Sequence, residues 1–141
     1  MNVYIDASFL VSVYLKDRHS SKADELLRSR PRFLLTPFTR AEWAHAVTQH
    51  VFRGLLTQIA ADDIRRDLTR DLDAGLWNEI PMPEKAFEHC LDLAWRHGPK
   101  VGMRALDSLH VACALELKAE NLWTFDERQA RLAKAVGLKT N

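Results

Sequence analysis

Four carboxylates stand out because they occur in apolar or semi-apolar surroundings at the expected ends of secondary-structure elements. They are Asp6, Glu42, Asp107 and Asp126. Asp6 directly follows a short β-prone run, and Asp107 lies near the start of a strongly apolar helix, where an unpaired charge is costly to bury. Clustered acids repel one another, and a hard divalent cation resolves that conflict, because Mg²⁺ takes oxygen ligands and pairs with substrate phosphates. The four residues therefore predict a site for metal-assisted chemistry on a phosphate group.

Each of these acids also has a purely local explanation. Glu42 fits a capping box that begins at Thr39, and Asp126 fits the N-cap of the helix that follows it. Asp107 could offset a helix dipole or pair with the arginine three residues before it. Asp6 could cap the first helix. Taken singly, capping explains Glu42 and Asp126, whereas the apolar neighbours of Asp6 and Asp107 favour a functional role.

The elements that must position these acids alternate short β-prone runs with helices. Strands are predicted at residues 3–5, 33–35, 77–80 and 122–125, with an edge strand at 138–139. Helices are predicted at 7–15, from Ser20 or Ser21 onward, at 40–52, from Thr57 onward, and at 83–97, 103–118 and 127–136, with a loop at 98–102. This alternation predicts an α/β sandwich with a parallel sheet. Ligands in such folds gather beyond the carboxyl ends of strands, where Asp6 and Asp126 are expected.

Length and composition indicate one globular domain over residues 1–141. Hydrophobic residues make up 47% and charged residues 28% of the chain, which excludes a disordered, collagen-like or membrane-spanning protein. The net charge of +1 identifies no partner. Cys90 and Cys113 each lie in an apolar helical run and are expected to be reduced. With no targeting segment or long apolar run, the protein is predicted to be cytoplasmic, with no membrane partner.

Four short segments, taken in order, resemble the PIN-domain family, and most of all the VapC-type toxin ribonucleases of bacterial toxin–antitoxin pairs. The segments extend over nearly the whole chain and read Tyr4-Ile5-Asp6-Ala7-Ser8, Arg40-Ala41-Glu42, Arg104-Ala105-Leu106-Asp107-Ser108-Leu109-His110-Val111-Ala112 and Thr124-Phe125-Asp126. The resemblance implies a three-layer PIN-like fold with about five parallel strands between helices. It also implies Mg²⁺- or Mn²⁺-dependent cleavage of RNA, a homodimer, and a small cognate antitoxin that covers the acidic pocket.

The same resemblance assigns the acidic quartet of the family to Asp6, Glu42, Asp107 and Asp126 as catalytic residues. Asp6 and Asp107 are expected to be direct metal ligands. Asp126 is a third candidate ligand, and with Glu42 it is expected to orient water or a second ion; Glu127 could substitute for it.

Auxiliary roles are expected for Ser8, Thr124 and Arg104. The resemblance places Ser8 and Thr124 at the hydroxyl positions that family members carry two residues after the first acid and two before the last. Arg104 is expected either to anchor the acids or to contact a phosphate.

The basic residues suit a nucleic-acid enzyme once the proposed site is set apart. Without the four site acids, 15 acidic side chains remain against 20 basic ones. Arg28, Arg30 and Arg32 form one cluster, and with Arg40 they are candidates for holding a phosphate backbone. His110 is expected to be a hydrogen-bonded core residue rather than a catalytic base.

Other readings remain open. A haloacid-dehalogenase-type phosphatase needs a second aspartate two residues after the first, where this chain has Ser8. A response-regulator receiver needs paired acids beside the first strand and a late lysine, and neither is evident. A non-catalytic PIN-like module that binds RNA or protein is the alternative from a different functional class, and the intact acidic quartet argues against it. The four tryptophans are expected in the core, and helical segments 44–52 and 59–72 are candidates for the interface with a partner.

Overall fold

Five parallel strands form the centre of the molecule, and seven helices surround them. The structure is a computed structural model that describes all 141 residues. The strands are β1 (Asn2–Ile5), β2 (Arg32–Leu35), β3 (Trp77–Glu79), β4 (Asn121–Trp123) and β5 (Lys139–Thr140). The helices are α1 (Ala7–Tyr14), α2 (Ser20–Leu27), α3 (Pro37–Phe52), α4 (Gln58–Asp73), α5 (Ala86–Val101), α6 (Ala105–Glu116) and α7 (Glu127–Ala135). The predicted α/β fold with a parallel five-stranded sheet is confirmed.

The strand order places a crevice beside the central strand. The order is β3-β2-β1-β4-β5, and every neighbouring pair is parallel. The chain leaves β1 toward β2 and β3, and then crosses back to add β4 on the other side of β1. Ligands of open parallel sheets bind where the strand order reverses in this way, outside the carboxyl ends of the strands. The topology therefore directs attention to the residues that follow β1 and β4.

Two apolar clusters cover the two faces of the sheet and make the fold three-layered. Side chains alternate along β1, so that Val3 and Ile5 enter one cluster and Tyr4 enters the other, as the period of a strand requires. The first cluster includes buried residues of α1 to α4, and the second includes buried residues of α5 to α7. Strands buried on both faces explain why the strand segments consist of almost continuous apolar runs.

Helix α3 begins three residues earlier than the sequence predicted. Thr36 is its N-cap and forms a capping box with Thr39, while Pro37 occupies the first helical position, where its missing N–H is not needed. The prediction of a capping box between Thr39 and Glu42 is therefore wrong. Glu42 lies in the second turn of α3, so capping no longer accounts for it.

Helix α5 differs from the prediction at both ends. It begins at Ala86 rather than at Pro83, because Pro83 lies in a turn whose carbonyl accepts a hydrogen bond from the Ala86 N–H at 3.0 Å. It then continues through Pro99 to Val101, so the predicted loop at 98–102 is wrong. A residue before proline is normally pushed out of the helical region partly by its Cβ, and Gly98 has none. The added turn lets Val101 pack against the second apolar cluster, and Gly102 ends the helix at φ 68°.

Three of the four tryptophans lie in the core, as predicted, and one does not. Trp43, Trp77 and Trp123 are buried, whereas Trp95 on α5 is 83% exposed. Trp95 is two positions beyond the buried Leu93, which places it on the opposite side of the helix. Both cysteines are free thiols. None of the helices combines the length and the apolar character needed to cross a bilayer.

Candidate active site

Asp6 is held at the junction between β1 and α1 by a nearly complete set of hydrogen bonds. It is the N-cap of α1, and its Oδ1 accepts from the Phe9 backbone N–H at 2.9 Å and from the Ser8 hydroxyl at 2.8 Å. Its Oδ2 accepts from the Thr124 hydroxyl at 2.7 Å and from the Gln129 amide at 2.8 Å. Only 3% of Asp6 is exposed. The carboxylate therefore has one fixed orientation.

The burial of Asp6 makes its ionised form expensive. Burial raises the pKa of its carboxyl group, and this effect outweighs the opposing hydrogen bonds from Thr124, Phe9 and Ser8. Desolvation disfavours the charged form of a buried acid, while donors aimed at it favour that form. A cation beside Asp6 would relieve the remaining cost.

Ser8 and Thr124, the two predicted auxiliary residues, tie Asp6 to the segment between β4 and α7. The Ser8 hydroxyl accepts from the Phe125 backbone N–H at 2.9 Å, and the Thr124 hydroxyl accepts from the Asp126 backbone N–H at 2.9 Å. The two hydroxyl oxygens lie 3.2 Å apart. Each hydroxyl thus donates to Asp6 and accepts from a backbone N–H in the segment that carries Asp126.

Asp107 and Arg104 meet at the beginning of α6. Asp107 is 5% exposed, and its Oδ2 accepts from the Arg104 backbone N–H at 3.1 Å. The Arg104 guanidinium lies 3.5 Å from the same oxygen, although the arginine side chain is 68% exposed. The predicted pairing of the two residues is present. The other oxygen, Oδ1, makes no hydrogen bond with the protein.

Glu42 and Asp126 approach the same region from α3 and α7. Asp126 is the N-cap of α7, and its Oδ1 accepts from the Gln129 backbone N–H at 3.0 Å. Glu42 Oε1 lies 3.2 Å from Nε2 of His110, which is 2% exposed. The prediction that His110 is a hydrogen-bonded core residue is confirmed.

All four acids line one cavity of about 370 Å³ at the carboxyl ends of β1 and β4, together with Ser8, Arg104 and Gln129. Arg104 is the only basic side chain in this lining, so carboxylate outnumbers cation four to one. No three acidic, histidine or cysteine side chains in the chain are close enough to form a complete metal-ligand set. The cavity thus presents four carboxylates on an open surface rather than a closed metal cage.

This lining suits one class of ion. Carboxylate oxygens are the ligands of hard divalent cations, and Mg²⁺ keeps several of its waters and needs only one or two protein carboxylates. Oδ1 of Asp107 is free of protein hydrogen bonds, and Asp6 is the acid whose cost of burial a cation would relieve. Cysteine and histidine ligands, which softer metals prefer, are absent from the lining.

Two features of the site were not predicted. Gln129 donates to Asp6 from the third position of α7, and its spacing from Asp126 is that of a capping box, which was a usable signal in the sequence. The contact between His110 and Glu42 joins residues 68 positions apart and left no local signal.

The predicted phosphate-binding arginines lie outside the cavity lining. Arg28, Arg30 and Arg32 are exposed around the end of α2 and the start of β2. Arg40 forms an ion pair with Glu79, so it is already partnered.

Comparison with known proteins identifies the fold independently. The family model described as PIN domain matches residues 3–135. Among solved structures, the chain is similar to VapC20 of Mycobacterium tuberculosis, described as a sarcin-ricin loop cleaving toxin, with TM-score 0.69 and 16% identity over 96% of this chain and 95% of the other. It is also similar to FitAcB of Neisseria gonorrhoeae, with TM-score 0.74 and 15% identity over 98% and 95%. A third similar structure is VapBC2 of Rickettsia felis, described as bound to a DNA fragment from their promoter. Its TM-score is 0.70, with 17% identity over 100% of this chain and 98% of the other. No curated protein sequence matches significantly.

Proposed function

Because this chain belongs to the PIN-domain family, we propose that it is a metal-dependent endoribonuclease and the toxin of a VapC-type toxin–antitoxin pair. The observation that carries this proposal is the convergence of Asp6, Glu42, Asp107 and Asp126 on one open cavity at the topological switch point of the sheet. The four residues come from four separate parts of the chain and meet where ligands of parallel sheets bind.

The proposed cofactor is Mg²⁺ or Mn²⁺, held directly by Asp6 and Asp107, with Asp126 as a third candidate that would reach the ion through one of its bound waters. A divalent cation in this cavity would supply Lewis-acid activation of water and neutralisation of phosphoryl charge. Ser8 and Thr124 hold the carboxylate of Asp6 in one orientation. The supporting physical argument is that a buried, oriented carboxylate with a raised pKa gains most from a neighbouring positive charge.

Glu42 and Arg104 have different proposed roles in the reaction. Glu42 keeps one carboxylate oxygen free of protein hydrogen bonds and is 28% exposed in its side chain, so it can accept a proton from, or orient, an attacking water. Arg104 is exposed at the rim beside Asp107 and can contact a phosphate oxygen of the substrate with its fork of donors.

RNA is the proposed substrate. VapC20 is described as cleaving the sarcin-ricin loop, and the exposed arginines near the end of α2 can contact a phosphate backbone. A PIN-like module that binds without cleaving has no need for four carboxylates in one cavity, since acids repel a polyanion unless a cation lies between them.

We further propose a homodimer and a cognate antitoxin. Helices α3 and α4 border a groove of about 510 Å³. Phe52 at the end of α3 and Ile59 near the start of α4 are 86% and 76% exposed. Exposed apolar patches of this kind mark interaction surfaces. The similar structure VapBC2 is described as bound to a DNA fragment from 'their promoter', wording that refers to more than one protein. This supports a partner protein for this chain as well. One nuclease domain over residues 1–141 and a cytoplasmic location stay predictions.

The test is a cleavage assay with the purified protein and total cellular RNA. Cleavage is expected in Mg²⁺ or Mn²⁺ and is expected to stop when EDTA is added. Asp107→Asn should abolish it, and Asp24→Asn is the matched control, because Asp24 is exposed on α2 and makes no side-chain hydrogen bond. Cleavage that persists in EDTA, or that survives in Asp107→Asn, would contradict the proposed function.

A further inference from the structure

A buried chain of polar side chains connects the centre of the sheet to Glu42. Nδ1 of His110 lies 3.0 Å from the Tyr4 hydroxyl, and Nε2 of His110 lies 3.2 Å from Glu42 Oε1. The ring of Phe38 stacks on the imidazole with a centroid separation of 4.3 Å. His110 is 2% exposed, so both ring nitrogens and one ring face are fixed by the protein.

The chemistry of the partners assigns the direction of these hydrogen bonds. An ionised carboxylate can only accept, so Nε2 of His110 donates to Glu42. The Tyr4 hydroxyl carries a proton that it can donate to Nδ1, the ring nitrogen left without one. The Tyr4 oxygen also lies 3.4 Å from the Thr36 hydroxyl and 3.2 Å from the Thr39 hydroxyl, which anchor it to the start of α3.

Glu42 differs from the other three acids of the cavity in how it is held. Asp6 and Asp126 accept backbone N–H groups as helix N-caps, and Asp107 accepts the backbone N–H of Arg104. Glu42 has a longer side chain and only one hydrogen bond, the one from His110. Loss of that contact frees its carboxylate, while loss of His110 leaves the other three acids with all their hydrogen bonds.

We propose that His110 is a positioning residue that fixes the carboxylate of Glu42 toward the acidic cavity, with Tyr4 holding the imidazole from behind. This proposal rests on the proposed function, because it assigns a role within that reaction. His110 is buried and does not line the cavity, so it acts through Glu42. Its place three residues after Asp107 puts both side chains on the same side of α6, so that one helix positions two of the four acids.

The kinetic test separates positioning from a purely structural role. His110→Asn removes the donor to Glu42, and His110→Gln restores an amide N–H close to the position of Nε2. We expect His110→Asn to lower the single-turnover cleavage rate by about 10- to 100-fold, the range typical of residues that orient catalytic groups from behind. The RNA concentration that gives half-maximal rate should not change. His110→Gln should recover most of the rate.

A double-mutant cycle gives the sharpest comparison. If His110 acts through Glu42, then adding His110→Asn to Glu42→Ala should lower the rate less than twofold further, since interacting residues are not additive. If the two losses multiply in full while wild type cleaves RNA, the positioning proposal is overturned and the proposed function stands. A wild type that cleaves no RNA overturns both, and every variant is then equally inactive.

A measurement without catalysis covers the case in which His110→Asn does not fold. Nitrogen NMR of the histidine rings should show His110 protonated at Nε2 and unprotonated at Nδ1. Glu42→Ala should shift these His110 signals, and Glu84→Ala, a control at an exposed glutamate without side-chain hydrogen bonds, should not. Unchanged His110 signals in Glu42→Ala would show that the contact is absent in solution and would overturn the proposal.

Discussion

Replacing Thr124 by valine removes one buried hydroxyl and keeps the shape of the side chain. Thr124 is 4% exposed. Its hydroxyl donates to Asp6 Oδ2 at 2.7 Å and accepts from the Asp126 backbone N–H at 2.9 Å. The substitution therefore deletes a hydrogen bond to a charged acceptor and leaves a backbone donor without its partner, with no change in packing volume.

The expected loss of stability follows from these two contacts. A hydrogen bond to a charged group contributes about 1.5–3 kcal/mol, and an unsatisfied buried donor costs about 1–3 kcal/mol. The lower ends of these ranges together give a loss of about 2.5 kcal/mol in the free energy of unfolding. With a urea dependence of about 2 kcal/mol/M, the unfolding midpoint should fall by roughly 1 M. A domain of this size tolerates such a loss, because its total stability is about 5–15 kcal/mol.

Urea unfolding in EDTA at one protein concentration is the assay. Thr140→Val is the matched control, because Thr140 lies in the edge strand β5 and its hydroxyl makes no hydrogen bond, so its free energy of unfolding should stay within about 0.5 kcal/mol of wild type. The hydrogen bond from Thr124 opposes the burial that raises the pKa of Asp6. Thr124→Val should therefore raise that pKa further and move the acidic limb of cleavage to higher pH. A Thr124→Val midpoint indistinguishable from that of Thr140→Val would refute this reasoning.

Three further predictions concern charge and association. Because burial raises the pKa of Asp6, the contribution of this group to stability is fully present below its unfolded pKa of about 3.9 and is lost as pH rises through the higher folded value. In thermal melting in EDTA, the melting temperature of wild type should therefore fall relative to that of Asp6→Asn as pH rises from about 4 toward 7. A difference between the two that does not change with pH would contradict this. Asp107→Asn keeps an acceptor for the Arg104 N–H and loses only an ion pair with an exposed arginine. Its free energy of unfolding should therefore change by no more than about 1 kcal/mol, while RNA cleavage should stop. A large destabilisation with cleavage retained would show that Asp107 has a structural role. Light scattering should give twice the chain mass, Ile59→Asp should reduce it, and a co-expressed neighbouring gene product should co-purify; a monomer with no co-purifying partner would contradict the proposed interface.

The strands and the acids beside them were predictable because their signals are local. An apolar β-prone run followed at once by aspartate identifies β1 and Asp6, and parallel strands place their carboxyl ends at one edge of the sheet. The same rule accounts for Asp126 after β4. Asp107 was predictable as a site residue because an unpaired carboxylate is costly to bury in an apolar helix. The structure pairs it locally with Arg104 and also places it in the cavity lining.

The remaining features depend on contacts that the sequence does not display. Helix α5 carries two apolar stripes, one through Ala86 and Leu93 and one through Phe87 and Trp95, and periodicity alone does not say which one faces the core. The structure buries the first and exposes the second. The link from His110 to Glu42 joins α6 to α3 across the molecule, and no spacing along the chain reports such a pair.

The most direct test of the account is where a cation binds. A crystal soaked in Mn²⁺ should give an anomalous difference peak in the cavity lined by Asp6, Asp107 and Asp126, and that peak should vanish in a crystal of Asp107→Asn soaked in the same way. A soaked wild-type crystal with no peak in this cavity, or with its manganese elsewhere on the surface, would contradict the claim that these acids form a metal centre.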